Sequence, residues 1–234
     1  MPNPYFQFKQ FTVWHDRCAM KVGTDGVLLG AWTNVSDAGN ALDIGTGTGL
    51  IALMLAQRNN NLIIDALDID PDAIDQAKDN VIQSPFSTQI RCHLKTIQSF
   101  AAECSRKYDL IVSNPPYFEQ SLKSPDRNRT LARHTDSLSV RDLIGAGAIL
   151  LTDKGRLSVI YPYSYKDELI SQDKLFVNRI TNIYPTPTSV PKRILVEYSR
   201  QRLPIEEDHL VIEKERHVYT DEFANLVKEF YLKL

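Results

Sequence analysis

No apolar run in the 234-residue chain approaches ~18 residues, so nothing in it reads as a membrane-spanning helix. The start, Met1-Pro2-Asn3-Pro4-Tyr5, lacks a basic segment followed by an apolar one, and no secretory signal is expected. Cysteine is scarce. Cys18, Cys92 and Cys104 are odd in number, scattered and without CxxC spacing, which points to reduced thiols in a cytoplasmic protein rather than a disulfide framework. His15, His93, His209 and His217 have no ligand-like spacing, so no metal site is expected. An excess of positive charge is also missing: the net charge is −2, and any nucleic-acid binding must come from local patches. Neither a repeat nor a low-complexity linker divides the chain, and 43% hydrophobic content suffices for one substantial core. One domain over residues 1–234 is therefore expected.

What is present is a regular exchange of strand and helix patterns. Phe6 to Trp14 alternates on either side of Lys9-Gln10, predicting a hairpin, and Thr24-Asp25-Gly26 can cap a helix running through Ala31 and Trp32. Ala41–Ile44, Leu62–Leu67, Gln89–Leu94, Asp109–Val112 and Leu157–Tyr161 read as strands. Helices are predicted over Leu50–Gln57, from Pro71 through Val81, and near Leu143–Leu151. Such alternation implies βαβ units and a mainly parallel sheet with right-handed crossovers. The tail differs: Leu175–Tyr184 and Ile194–Tyr198 are β-rich with no helix between them, so they should pair antiparallel. Thr220 to Leu232 is predicted as a closing helix capped by Thr220.

Asp43-Ile44-Gly45-Thr46-Gly47-Thr48-Gly49 sits at a strand-to-helix turn, where glycine permits sharp bends and close ligand approach. The spacing is GxGxG. Position 50 is Leu, so the dinucleotide form GxGxxG is absent. A phosphate-free, cationic cofactor such as S-adenosylmethionine suits the acidic Asp43 better than a pyrophosphate would. Downstream, Leu67-Asp68-Ile69-Asp70 ends the next strand; Asp68 is the candidate acceptor for ribose hydroxyls, and Asp70 the candidate cap of the helix opened by Pro71.

The run Tyr108–Ser113 is closed by Asn114-Pro115-Pro116-Tyr117. Methylating an exocyclic amine is hard because its lone pair is delocalised into the ring. The Asn114 side-chain carbonyl and the Pro115 main-chain carbonyl can accept its two hydrogens, and Tyr117 can stack on the base. Arg127, Arg129, Arg133 and His134 follow with no intervening acid, offering phosphate contacts. Lys192-Arg193 and Arg200-Gln201-Arg202 are further basic candidates.

Residues Arg17 to Trp32 (RCAMKVGTDGVLLGAW), the glycine turn, Asn114 to Tyr117, Ala132-Arg133-His134, Tyr219-Thr220 and Phe230-Tyr231-Leu232 together resemble the bacterial tRNA1(Val) adenine-37 N6-methyltransferase family. The resemblance covers nearly the whole chain. It implies an α/β, Rossmann-like class I methyltransferase fold: a seven-stranded, mainly parallel sheet with an antiparallel last strand. Residues 1–35 would form a hairpin and helix covering the cofactor site. The implied activity is S-adenosylmethionine-dependent methylation of adenine 37, beside the anticodon of one valine tRNA. Lys21, Thr24, Asp25 and Gly26 would join Asp43, Gly45, Thr46, Gly47, Gly49, Asp68 and Asn114 in the cofactor pocket. No membrane and no obligate protein partner are inferred. The loop after the third strand reads His93-Leu94-Lys95-Thr96-Ile97-Gln98, without the acid that many relatives in the wider superfamily place near the cofactor adenine.

Other readings stay open at this level. The same motif could serve a release-factor glutamine or a ribosomal guanine amine, since a planar amide presents the same two hydrogens. A non-catalytic RNA-binding protein retaining the fold would bind RNA without turnover. A nicotinamide oxidoreductase lacks its GxGxxG.

Overall fold

The computed structural model describes residues 3–18, 20–116 and 138–233. The hairpin forms as expected, β1 (Tyr5–Gln7) pairing antiparallel with β2 (Thr12–Trp14). Helix α1 (Thr24–Trp32) follows, and then an alternating series: β3 (Asn40–Ile44), α2 (Leu50–Arg58), β4 (Ile63–Asp68), α3 (Pro71–Ile82), β5 (Ile90–Leu94), α4 (Ile97–Glu103) and β6 (Tyr108–Ser113). Beyond residue 138 come α5 (Val140–Leu150), β7 (Leu151–Pro162), a 3-10 turn at Tyr163–Tyr165, α6 (Lys166–Ile170), β8 (Phe176–Tyr184), β9 (Arg193–Ser199) and β10 (Glu206–Val211). A small ribbon, β11 (Glu213–Glu215) and β12 (Val218–Tyr219), leads into α7 (Asp221–Val227).

Strands β3 to β10 make one sheet in the order β10-β8-β9-β7-β6-β3-β4-β5. The seven expected strands are β3 to β9, and β9 runs antiparallel to both β7 and β8. An eighth strand extends the count: β10 pairs parallel to β8, from Glu206 opposite Arg179 to Val211 opposite Tyr184. Its Glu-Glu-Asp-His start carries no alternating apolar pattern because it lies at the sheet edge and stays exposed. The chain leaves β3 toward β4 and β5, then crosses back to β6 on the other side. That reversal opens a crevice at the strand ends, where ligands of open α/β sheets bind.

Side chains alternate across the sheet into two cores. Ala41, Leu110, Val112 and Leu195 face α1, α2, α7 and the hairpin residues Phe8, Phe11 and Val13. Leu42, Ile44, Ile111, Val196 and Tyr198 face α4, α5 and α6. Asp70 caps α3 by accepting from the Asp72 amide at 3.0 Å, with Pro71 as the first helical residue.

Some boundaries move. Gly23, not Thr24, is the N-cap of α1, and no side chain caps it. The closing helix is capped by Thr220, whose hydroxyl accepts from the Phe223 amide at 3.1 Å, but it ends at Val227. Phe230 then turns inward, its carbonyl accepts from the Lys9 amide at 2.8 Å, and Tyr231 bridges to Phe8, so docking on the hairpin replaces the last predicted turn.

Helices α1 and α2 cross closely because Gly30 lies against Met54. A Cβ added at Gly30 would sit 2.7 Å from Met54 Sδ and 3.0 Å from Met54 Cβ, and Met54 is fully buried. Gly30→Val is expected to lower stability by about 1–3 kcal/mol through overpacking. An unchanged urea midpoint would mean that the helices separate freely.

Candidate active site

The turn between β3 and α2 holds Gly45, Gly47 and Gly49 at φ of 72°, 55° and 81°, in the left-handed region. The next strand fixes it. The Leu67 carbonyl accepts from the Gly45 and Thr46 amides, each at 2.8 Å, and Asp68 Oδ2 accepts from the Gly47 amide at 2.8 Å. Asp68 Oδ1 accepts from the Asp70 amide at 3.0 Å. Each carboxylate oxygen keeps a second lone pair for a ligand hydroxyl. A Cβ at Gly45 or Gly47 would meet nothing within 4 Å, so this backbone borders open space.

That space is a cleft of about 710 Å³ above the ends of β3, β4 and β6. One wall is the glycine turn with Leu67 to Asp70, and a second is Lys95 to Gln98 between β5 and α4. The N-terminal segment contributes Cys18, Met20, Lys21 and Gly23 to Gly26 to the lining. At the far end stand Asn114, Pro115 and Pro116, with Leu138, Asp142 and Arg193. Arg193 Nε donates to Asp25 Oδ2 at 2.8 Å, joining the start of β9 to the first turn of α1 across 168 residues of chain. The Asn114 side-chain oxygen is buried and has no hydrogen-bond partner among the described residues. A buried acceptor in that state costs free energy until a donor arrives.

The fold brings Lys21, Thr24, Asp25, Gly26, Gly45, Thr46, Gly47, Asp68, Asn114 and Pro115 together on this cleft. Asp43 and Gly49 are not among its lining residues. Asp43 is fully buried behind the turn, where its Oδ2 accepts from the Thr46 hydroxyl at 2.7 Å, so it shapes the turn rather than facing a ligand. Gly49 is the N-cap of α2, and a Cβ there would face Ala77 of α3 at 3.5 Å. Tyr117, Arg127, Arg129, Arg133 and His134 lie outside the described residues. Sequence reasoning missed Ile69, Asp142 and Arg193 as wall residues, and it located the loop His93 to Gln98 near the cofactor without assigning Thr96 to Gln98 a place on the wall. The turn from β5 to α4 carried a usable signal, since Thr96 caps α4 at the same sheet edge. Arg193 carried none, because its place follows from the pairing of β9.

A sheet of this order, with a glycine turn after its first parallel strand and Asn-Pro-Pro after the neighbouring one, defines a class I methyltransferase. Residues 20–166 match the family model for the methyltransferase small domain. The chain is 50% identical to the tRNA1(Val) (adenine(37)-N6)-methyltransferase of Parabacteroides distasonis and 52% identical to that of Phocaeicola vulgatus. The protein of the same name from Trichodesmium erythraeum is 50% identical, and all three alignments span 100% of both chains. The chain belongs to the tRNA1(Val) (adenine(37)-N6)-methyltransferase family. Among solved structures it resembles a predicted O-methyltransferase of Agrobacterium tumefaciens at TM-score 0.65 and 19% identity, over 88% of this chain and 96% of that one. It also resembles a ribosomal protein L11 methylase of Lactobacillus delbrueckii subsp. bulgaricus at TM-score 0.51 and 17% identity, over 76% and 77% of the two chains. At such identities the likeness shows the fold alone.

Burial raises the Asp43 carboxyl from its ordinary range to about 7; the Thr46 hydroxyl and the Ala52 amide pull it down, and the Asp68 charge adds to the rise. Folded Asp43 thus holds a proton that the unfolded chain releases near 3.8. Its contribution to stability is greatest at low pH, falls as pH rises toward 7, and is level above that. The stability difference between wild type and Asp43→Asn should therefore shift steadily in the variant's favour from pH 5 to 7. Urea titrations across that range check it, and a pH-independent difference would mean that Asp43 is ionised throughout.

Proposed function

We propose that this chain transfers the methyl group of S-adenosylmethionine to the N6 amine of adenine 37 in tRNA1(Val), the activity its full-length relatives are named for. The observation that carries the chemistry is at the end of β6, where Asn114 lines the same cleft as the glycine turn and its side-chain oxygen is buried without a hydrogen-bond partner among the described residues.

The residues present fit the cofactor. The open backbone at Gly45 and Gly47 leaves room for close approach, Asp68 retains lone pairs for ribose hydroxyls, and Lys21 with Thr24 to Gly26 line the same crevice. When bound, S-adenosylmethionine supplies an electrophilic methyl group on a sulfonium. Asn114 Oδ1 and the Pro115 carbonyl each accept one hydrogen of the target amine, which draws its lone pair out of the ring and aims it at the donor. Pro115 has no N–H to compete for those acceptors. The nitrogen becomes acidic only after transfer, so its extra proton can leave to water and no side chain has to act first as a base. Tyr117 is proposed to stack on the base, and Arg127, Arg129, Arg133 and His134 to meet the RNA backbone. A base stacked in the loop must turn out to reach Asn114, at a cost of a few kcal/mol that is smaller in unpaired RNA.

The test is transfer of labelled methyl to tRNA lacking this modification, followed by nucleoside analysis. N6-methyladenosine confined to one valine tRNA is expected; label on a release factor or on ribosomal guanine instead would overturn the substrate. In the same assay Asn114→Ala should lose at least two orders of magnitude in turnover while cofactor affinity stays within severalfold. Asp68→Ala should weaken cofactor binding about tenfold or more, the loss of charge-assisted hydrogen bonds. Near-normal turnover in the first variant, or an unchanged cofactor titration in the second, removes the assigned role.

A further inference from the structure

The two basic pairs late in the chain, Lys192-Arg193 and Arg200-Gln201-Arg202, are equivalent in sequence but not in space. They flank the two ends of β9, the one strand of the eight that runs against its neighbours. The start of β9 lies beside the end of β7, Arg193 opposite Pro162, and Ser113 of β6 lies opposite Val159 of the same β7. Lys192 and Arg193 therefore stand at the sheet edge that carries Asn114. They are two strands across and a few residues beyond it, on the order of 10 Å in each direction before side-chain reach is counted. The end of β9 lies at the opposite edge, seven residues or roughly 23 Å away. There Arg200 Nη2 donates to the Ala148 and Leu151 carbonyls, and the Arg202 guanidinium sits 5.8 Å from the centre of the Phe176 ring.

The corner at Lys192 is rigidly mounted. Its amide donates to the Ile183 carbonyl at 2.9 Å, and its carbonyl accepts from the Tyr163 amide at 3.0 Å and from Arg193 Nη1 at 3.0 Å. The neighbouring cations are already matched: Arg193 with Asp25 at 2.8 Å, and Lys166 with Glu207 at 2.8 Å while it also lies over the Tyr163 ring. Lys192 is exposed and forms no ion pair among the described residues. Among the described residues, Lys192 thus presents an unmatched positive charge beside the end of the cleft that carries Asn114.

We infer that the Lys192–Arg193 corner is an RNA-contacting surface: Lys192 meets a backbone phosphate flanking the target nucleotide, and Arg193 holds the corner to α1 through Asp25. This rests on the RNA-substrate reading above and adds to it a contact separate from the Arg127 to His134 run. The opposite edge, with Arg200 and Arg202, takes no part.

The experiment compares tRNA affinity as a function of salt for wild type, Lys192→Ala and the double variant Arg200→Ala/Arg202→Ala, alongside S-adenosylmethionine titration and methyl transfer. Loss of one phosphate contact to unpaired RNA should reduce the magnitude of the log–log salt slope by about 0.7. The expected result is that reduction, with severalfold weaker tRNA binding and unchanged cofactor affinity, in Lys192→Ala alone. An unchanged slope in Lys192→Ala, while the wild type methylates the tRNA, overturns the surface and leaves the activity standing. A reduced slope only in the double variant moves the RNA to the opposite edge and also overturns it. If the wild type transfers no methyl group to tRNA, the RNA-substrate reading falls and takes this surface with it.

Discussion

The β3–α2 turn is the constraint on which the site depends. Three residues in a left-handed conformation are unfavourable for most side chains, and glycine removes that penalty at some entropic cost. The conformation is then held by the next strand rather than by the turn itself: Leu67 and Asp68 accept three consecutive amides, from Gly45, Thr46 and Gly47. With its amides tied to β4, the turn presents bare backbone to the crevice. The same Asp68 that anchors it also faces the cleft, so turn geometry and ligand binding share one carboxylate. Asp43 completes the arrangement from behind, accepting from Thr46 in a fully buried position.

The rest of the site is assembled from parts that the sheet order brings to this turn. Reversal of strand order at β3 sets the end of β6, with Asn114, next to the glycines. Helix α1 crosses over α2 through Gly26 and Gly30, which approach Leu50 and Met54, and this puts Thr24 to Gly26 on the rim of the cleft. The antiparallel return of β9 then brings Arg193 to Asp25. A surface ion pair of this kind has a modest intrinsic value. Here it joins segments that no covalent neighbour could hold together, and its partners are each about a quarter exposed.

Much of this was legible in the sequence because it rests on local chemistry. Period-two and period-3.6 patterns marked β3 to β6 and α2 to α3 to within a few residues, and GxGxG and Asn-Pro-Pro fell on strand ends as expected. The misses have physical causes. The exposed edge strand β10 needs no alternation, since it buries little on either face. The closing helix stopped at Val227 because Phe230 and Tyr231 gain more by packing on the hairpin than by extending the helix. Asp43 was expected on the ligand side because an acid before a glycine turn suits a cation, whereas the strand pleat directs it into the interior.

By itself, then, the sequence determined the alternation of strands and helices, the positions needing glycine, and the resemblance that names the family. These depend on neighbours along the chain and on residue chemistry. Only the tertiary structure decided that Asp43 and Gly49 stand behind the cleft, that Arg193 reaches Asp25, and that Lys192 and Arg200 lie at opposite edges of the sheet. Those outcomes depend on strand direction, register and the face to which each side chain points, which are set by pairing between segments far apart in the chain.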